Sequence, residues 1–242
     1  LQKALEILNL FTEKPVLGVT EVSEYFGLYK STVHNILSTL KAMEYLEQDE
    51  ETGKYRLGIQ IFNLSKALGD TYSITKIAGP YMQELSNYTG ERCYLAVPYR
   101  QEVLYLDAMY PADSIELMRS ILGERAQMHC TGLGKAMLAN MGEREISDYL
   151  EHHKLEAFTE NSIIDKKQFR EELLRTKQRG YALDDMEHEF GIKCIAMPVF
   201  DRTKNVYAAI SISGMANHFT DANIAEWAML LKKYIRKIES RL

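Results

Sequence analysis

Three groups of residues in this chain have types and spacings that chemistry can use. The first is the run Gln127-Met128-His129-Cys130-Thr131-Gly132-Leu133-Gly134-Lys135-Ala136. Glycines that immediately precede a helix leave backbone N–H groups open to an anion, which makes Gly132 and Leu133 candidates. The second group is Asp184, Ile192, Cys194, Ser211 and Ser213: a carboxylate at a strand end, a loop containing Gly191, then two strands carrying small polar groups. Such a set fits a small, oxygen-rich ligand. A helix N-terminus takes its carboxylate, serine hydroxyls donate further hydrogen bonds, and Asp184 accepts from a ligand hydroxyl or keto-hydrate. The third group lies early in the chain. Thr32, His34, Asn35, Ser38 and Lys41 share one face of a helical pattern that Lys30 and Ser31 open, and their groups can hydrogen-bond base edges or phosphates in a major groove.

Each group also has an ordinary structural reading. Glycines before a helix often make only a tight turn, serines in an apolar strand can satisfy neighbouring backbone, and a polar helix face is usually a solvated one. Cys194 reads as a buried small hydrophobe, since nothing near it in sequence marks an activated nucleophile. His129 beside Cys130, with His188 far along the chain, has irregular spacing for metal ligands, so no metal is expected. No cofactor fingerprint is present. An enzyme using Cys194 or His129 is the alternative function, and a DNA binder whose second domain only dimerises is another; the chain has no evident nucleophile, base and orienter set to support the first.

The elements that position these groups follow from periodicity. Leu1, Ala4, Leu5, Leu8 and Phe11 form the stripe of a first helix, stopped by Lys14-Pro15. Thr20 is a candidate N-cap for a second, with Glu21 and Glu24 near its positive end and Gly27 suited to the left-handed conformation that ends it. From about Ser31 the residues Val33, Ile36, Leu37, Leu40 and Met43 give a third helix one buried face. Leu46–Asp49 and Lys54–Leu57 bracket Glu50-Glu51-Thr52-Gly53 as a hairpin, on which Lys54 and Arg56 could meet a phosphate backbone. Three helices and a hairpin, with the polar face on the third, make a winged helix-turn-helix over residues 1–58. Residues 59–70 read as a short linker helix broken at Gly69-Asp70; its apolar side is expected to pack on another copy of the chain.

Residues 71–242 read as an α+β domain with an antiparallel sheet. Strands are expected over Arg92–Val97, Glu102–Met109, Ile115–Ser120, Tyr181–Asp184, Cys194–Phe200 and Val206–Ser213. Helices are expected over Ile77–Tyr88, interrupted early at Gly79-Pro80, over Gly132–Met141, Glu143–Leu150 and Asp165–Arg179, and in a closing segment with Trp227 and Leu231 inward.

A chain of 242 residues with 46% hydrophobic composition can bury two cores. Its net charge of −5 argues against a broadly basic nucleic-acid coat or a membrane-surface protein. Up to Gly58, Lys3, Lys14, Lys30, Lys41, Lys54 and Arg56 are outnumbered by Glu6, Glu13, Glu21, Glu24, Glu44, Glu47, Asp49, Glu50 and Glu51. An acidic reader gains little from counterion release and has to rely on a few placed cations, base contacts and multiple copies. Cys93, Cys130 and Cys194 are odd in number and widely spaced, which points to a reducing cytoplasm. No apolar run is long enough for a membrane span, no signal-peptide pattern opens the chain, and a first residue other than Met points to a trimmed N-terminus.

The order of motifs resembles the IclR family of bacterial transcriptional regulators over essentially the whole chain. The residues that carry the resemblance are Lys30-Ser-Thr-Val-His-Asn-Ile-Leu37, Gly53-Lys-Tyr-Arg-Leu-Gly58, Met128-His-Cys-Thr-Gly-Leu-Gly-Lys-Ala136, and Gly180–Asp201 with Gly191-Ile-Lys-Cys-Ile-Ala-Met-Pro198 at its centre. It implies a GAF-like effector domain, a dimerising linker helix, a homodimer or dimer of dimers on double-stranded operator DNA, and a small-metabolite effector, often a keto, sugar or aromatic acid. It also implies that the pocket uses Gly132, Leu133, Asp184, Ile192, Cys194, Ser211 and Ser213, with an apolar wall at Ile115, Met118 and Ala126. Leu133 and Ala126 fall at wall positions whose size varies in that family, so ligand shape does not transfer. Some members of that family hold zinc in this cavity.

Overall fold

In the computed structural model the described residues are 1–71, 73–113 and 121–242, with backbone alone for 68–71 and 73. Two compact units meet at Tyr72/Ser73. In the first, α1 (Gln2–Leu10), α2 (Val19–Phe26) and α3 (Lys30–Ala42) precede a two-stranded hairpin, β1 (Leu46–Gln48) and β2 (Tyr55–Leu57), and then α4 (Ile59–Thr71). Ile7, Leu10, Phe11, Val22, Val33, Leu37, Leu46 and Tyr55 bury their side chains together, so α1, α2, α3 and the hairpin share a single small core. Leu17 exchanges backbone hydrogen bonds with Tyr55 and fastens the segment after α1 to the hairpin.

Two local readings are corrected here. α2 starts from Gly18, not Thr20: the Glu21 carboxylate reaches back to the Gly18 N–H, which closes the helix start without a hydroxyl cap. The buried stripe of α3 stops at Leu40, because Met43 is 58% exposed beyond the last turn. Gly27 does end α2 at φ 62°, a conformation glycine takes without a Cβ penalty.

In the second unit, α5 (Ser73–Thr89) leads into β3 (Arg92–Tyr99), β4 (Glu102–Met109) and β5 (Arg125–Gln127), followed by α6 (Gly132–Leu138), α7 (Glu143–His152) and α8 (Lys166–Arg179). β6 (Ala182–Asp185), β7 (Ile192–Phe200), β8 (Val206–Met215), a 3₁₀ turn and α9 (Asp221–Glu239) complete it. The six strands form one antiparallel sheet in the order β5-β4-β3-β8-β7-β6. Strand alternation divides the sheet into two faces. Cys93, Leu95, Ile195, Met197, Ile210 and Ile212 pack with α5 and α9, while Ala96, Cys194, Ala196 and Ala209 pack with residues of α6, α7 and α8.

The α5 helix runs through Pro80, and α4 runs through Gly69-Asp70, so neither expected break occurs. Buried Ile74, Ala78 and Met82 hold α5 on the sheet either side of the proline, and tertiary packing overrides the local breaker. The strand expected at Ile115–Ser120, which includes Ile115 and Met118, lies outside the described residues. α6 sits close against the chain that leads into it: a Cβ on Gly134 would lie 2.3 Å from the Met128 backbone. Gly134→Ala should therefore cost about 1–3 kcal/mol, a drop of roughly 3–10 °C in melting midpoint by calorimetry on the full chain; an unchanged midpoint would mean that the Met128 segment yields freely.

Candidate functional site

The face of the sheet that meets α6 is not filled at one end. Beyond Ala96, Ala196 and Ala209 it opens into a cavity of about 360 Å³. Of the ten residues expected there, Ala126, Gly132, Leu133, Asp184, Ile192, Cys194, Ser211 and Ser213 line it, whereas Ile115 and Met118 lie outside the described residues. The sheet register brings the polar ones into order. Asp184 pairs with Cys194, Cys194 with Ser213, and Ala196 with Ser211. α6 begins directly over them, since a Cβ on Gly132 would lie 2.8 Å from the Cys194 sulfur. Thr131 caps the helix by accepting the Gly134 N–H.

Ser211 is 1% exposed, and its Oγ, beside the Cys194 thiol, hydrogen-bonds no oxygen or nitrogen among the described residues. A buried hydroxyl in that state is costly and marks where a ligand or water would be accepted. Asp184 accepts the Glu187 N–H at 2.8 Å. Burial pushes Asp184 up to about 6 and Glu187 up to about 7. Fully buried Lys135 opposes both shifts, donating to the Leu183 carbonyl and to Glu187. The loop is held from outside as well, with Thr159 donating to the Met186 carbonyl and Ser162 to that of Glu187.

Sequence reasoning missed Arg92, Tyr94, Tyr105, Tyr110 and His188, which also line the cavity. Alternation held the signal for two of them: if Cys93, Leu95 and Val97 face one core, Arg92 and Tyr94 face the other way. Their pairing with Ser213 and Ser211 is long-range and could not be read locally. The two groups considered for catalysis are poorly placed for it. Burial pushes the Cys194 thiol far above its ordinary value and Cys130 up to about 12, so neither is a ready thiolate. His129 is fully buried, with its ring nitrogens 2.9 Å from the Glu156 carbonyl and 3.4 Å from the Tyr149 hydroxyl. Cys130 Sγ and His188 Nδ1 are 3.5 Å apart, but among the described residues no three His, Cys, Asp or Glu side chains gather as a metal site.

In the first unit, Lys30, Ser31, Thr32, His34, Asn35 and Lys41 are exposed along α3, and Ser38 is half-buried. The hairpin cations are already engaged. Lys54, which precedes β2, contacts Glu21 at 3.0 Å, Arg56 contacts Glu47 across the strands at 3.1 Å, and Lys41 donates to Gln48 at 2.9 Å.

Sequence profiles agree with this two-part architecture. The IclR helix-turn-helix domain matches residues 1–50, and the bacterial transcriptional regulator IclR C-terminal domain matches residues 66–240. The HTH-type transcriptional regulator XynR of Escherichia coli strain K12 is 33% identical over 233 residues, covering 96% of this chain and 92% of XynR. The crystal structure of the Thermotoga maritima IclR superimposes with a TM-score of 0.87 at 30% identity, covering 100% of this chain and 97% of that one. An IclR homologue from Microbacterium hydrocarbonoxydans, crystallised with 4-hydroxybenzoate, shares the fold at 21% identity, with a TM-score of 0.85 and coverage of 98% and 96%.

Asp184 and Glu187 each bind a proton more tightly in the folded chain than unfolded, where carboxyls titrate near 4. The stability tied to their protonated forms is complete below about pH 4 and is lost as pH rises through about 6–7. Asp184→Asn keeps an acceptor for the Glu187 N–H and cannot ionise. The wild-type melting midpoint should therefore fall relative to this variant between about pH 4 and 6; parallel curves would refute the assignment.

Proposed function

The chain belongs to the IclR family of bacterial transcriptional regulators, and we propose that a small organic acid bound in the second-unit cavity sets its grip on operator DNA. It is a transcription regulator with a helix-turn-helix DNA-binding domain followed by an effector-binding domain. The proposed division is 1–58 for the DNA-binding domain, 59–70 for a linker helix and 71–242 for the effector domain. The effector set is Ile115, Met118, Ala126, Gly132, Leu133, Asp184, Ile192, Cys194, Ser211 and Ser213. Gly132 and Leu133 supply backbone donors, the serines supply hydroxyls and Asp184 accepts. The observation that carries this reading is the buried Ser211 hydroxyl, which among the described residues has no nitrogen or oxygen partner, on the cavity wall that also carries Asp184, Cys194 and Ser213. The domain acts as a receptor and not as an enzyme, in keeping with thiols that burial holds protonated.

The DNA set is Lys30, Ser31, Thr32, His34, Asn35, Ser38, Lys41, Lys54 and Arg56. Asn35 reads a base edge, and the hairpin cations meet phosphates. The protein works in the cytoplasm as a homodimer or dimer of dimers, joined through α4, whose Ile59, Phe62 and Leu64 are exposed. Among the described residues no helix is long and apolar enough to cross a membrane. The effector shifts DNA affinity only by its preference for one arrangement of the DNA-binding domains over another, typically about 1–3 kcal/mol.

Mobility shifts on the promoter upstream of its own gene test the DNA roles. Asn35→Ala should relax sequence preference by about 1–3 kcal/mol at one base position with little change in salt dependence. Arg56→Ala should weaken all duplexes alike. Glu47→Gln, which releases Arg56, should strengthen them; equal effects of all three on every sequence would dismiss the assignment. Thermal shift against a metabolite panel tests the cavity: Ser211→Ala combined with Ser213→Ala should abolish the effector response and keep operator binding, and an intact response would remove both serines from the site.

A further inference from the structure

A second cavity, of about 340 Å³, lies where two hairpin turns close the sheet of the second unit, and it shares no lining residue with the first. Ala96 pairs with Ala209, so the turn between β3 and β4 and the turn between β7 and β8 fall at one end of the sheet. Residues at the start of α7 line the same space. Arg100 and Gln101 form the first turn, with φ 52° and 64°, and Lys204 in the second has φ 68°. Asparagine and glycine usually fill such left-handed positions, and longer side chains held there collect at ligand clamps.

Three carboxamides line this cavity, and each spends its nitrogen on the protein. Gln101 Nε2 donates to Asp148 Oδ2 at 2.5 Å, Asn140 Nδ2 to the Ala136 carbonyl at 2.9 Å and Asn205 Nδ2 to the Thr203 hydroxyl at 2.9 Å. These bonds fix which end of each amide is the oxygen. The Gln101 oxygen is buried and accepts no hydrogen bond among the described residues, a cost that a donor in the cavity would remove. The carboxylates of Glu145 and Asp148 line the cavity too, the first accepting the Gly142 N–H at 2.9 Å and the second contacting His152 at 3.1 Å. A wall of acceptors calls for a group that only donates, and an ammonium has three donors and no acceptor. Positive charge comes from Arg100 and Lys204, both exposed on the turns and without an ion pair among the described residues; Arg100 lies over the Tyr99 ring at 5.3 Å.

We propose that this cavity is a second ligand site and that it takes a free α-amino acid with an apolar side chain. The ammonium donates to the Gln101 oxygen, with Asp148 and Glu145 supplying negative charge, and the carboxylate meets Arg100 and Lys204. The side chain packs against Met128, Leu138 and Val206, which line the same cavity. Arg100 and Gln101 are consecutive, so a cation and an open acceptor come from neighbouring residues, as carboxylate and ammonium come from one carbon of the ligand. A zwitterion satisfies both, whereas an amine leaves the cations unmatched and a simple acid leaves the acceptors so.

Calorimetric titration of the full chain with leucine, methionine, glycine, isopentylamine and isocaproate is the test; the last two are leucine without its carboxylate and without its ammonium. Leucine and methionine should bind, with the other three at least about tenfold weaker. Gln101→Gly, which keeps the left-handed turn and removes the acceptor, should lose about tenfold or more in leucine affinity. Arg100→Gln combined with Lys204→Gln should weaken leucine by a similar factor and leave isopentylamine binding as well as leucine does. Melting midpoints of the unliganded variants report folding, and the double variant, confined to exposed side chains, keeps the test decisive should Gln101→Gly fail to fold. No leucine binding to the wild type, either analogue or glycine binding as tightly as leucine, or an unchanged leucine affinity in either variant that folds would each overturn the site.

Discussion

One ammonium group with no water around it, that of Lys135, ties together the parts that make the cavity of the second unit. It rises from α6, donates to the Leu183 carbonyl in β6, and pairs with Glu187 in the loop beyond. The Glu187 N–H in turn is donated to Asp184, so the cavity carboxyl is fixed through its neighbour. A buried ion pair contributes little net stability against an apolar replacement, yet removing one partner leaves a charge stranded and costs about 3–5 kcal/mol. Its worth here is therefore geometric. It commits α6, β6 and the loop to one arrangement, and the glycines at the helix start let that arrangement be close: neither Gly132 nor Gly134 has space for a side chain.

The first unit is governed by a different balance. It carries more acidic than basic groups, and Lys54 and Arg56 spend their charge on Glu21 and Glu47. Such exposed pairs are weak, on the order of 0–1 kcal/mol, so they hinder a phosphate contact without forbidding it. Such a charge balance gives little non-specific attraction to a phosphate backbone. In the DNA role proposed above, discrimination would rest on what α3 presents to base edges, and useful occupancy on more than one copy of the domain binding at once.

Much of this was legible in the residues, and the exceptions share a cause. The α3 stripe, the Gly27 stop and the alternation in β3, β7 and β8 are local patterns, and local sequence carries them. The polar groups Asp184, Cys194, Ser211 and Ser213 stood out because small polar residues interrupt apolar strands. Arg92 and Tyr94 did not, because an arginine and a tyrosine flanking a cysteine look like an ordinary solvated edge until β8 is known to pair beside them. Pro80 and Gly69-Asp70 read as breaks for the converse reason: their local preference was overruled in α5 by packing on the sheet, which no window of sequence contains.

A cavity of this construction holds free energy that a ligand can release. The buried Ser211 hydroxyl has no nitrogen or oxygen to bond among the described residues, and burial keeps Asp184 from ionising at its ordinary pH. A ligand that completes those hydrogen bonds recovers a desolvation cost already incurred in folding, which favours affinity for a small polar molecule. Affinity alone transmits nothing, since a ligand that binds two arrangements equally shifts neither, however tightly it binds. The rigid loop held by Lys135 is where the difference can arise. Any shift of Asp184 toward a ligand must pull Glu187 and Lys135 with it, and through Lys135 the α6 helix, because a half-satisfied buried network is worse than either complete one.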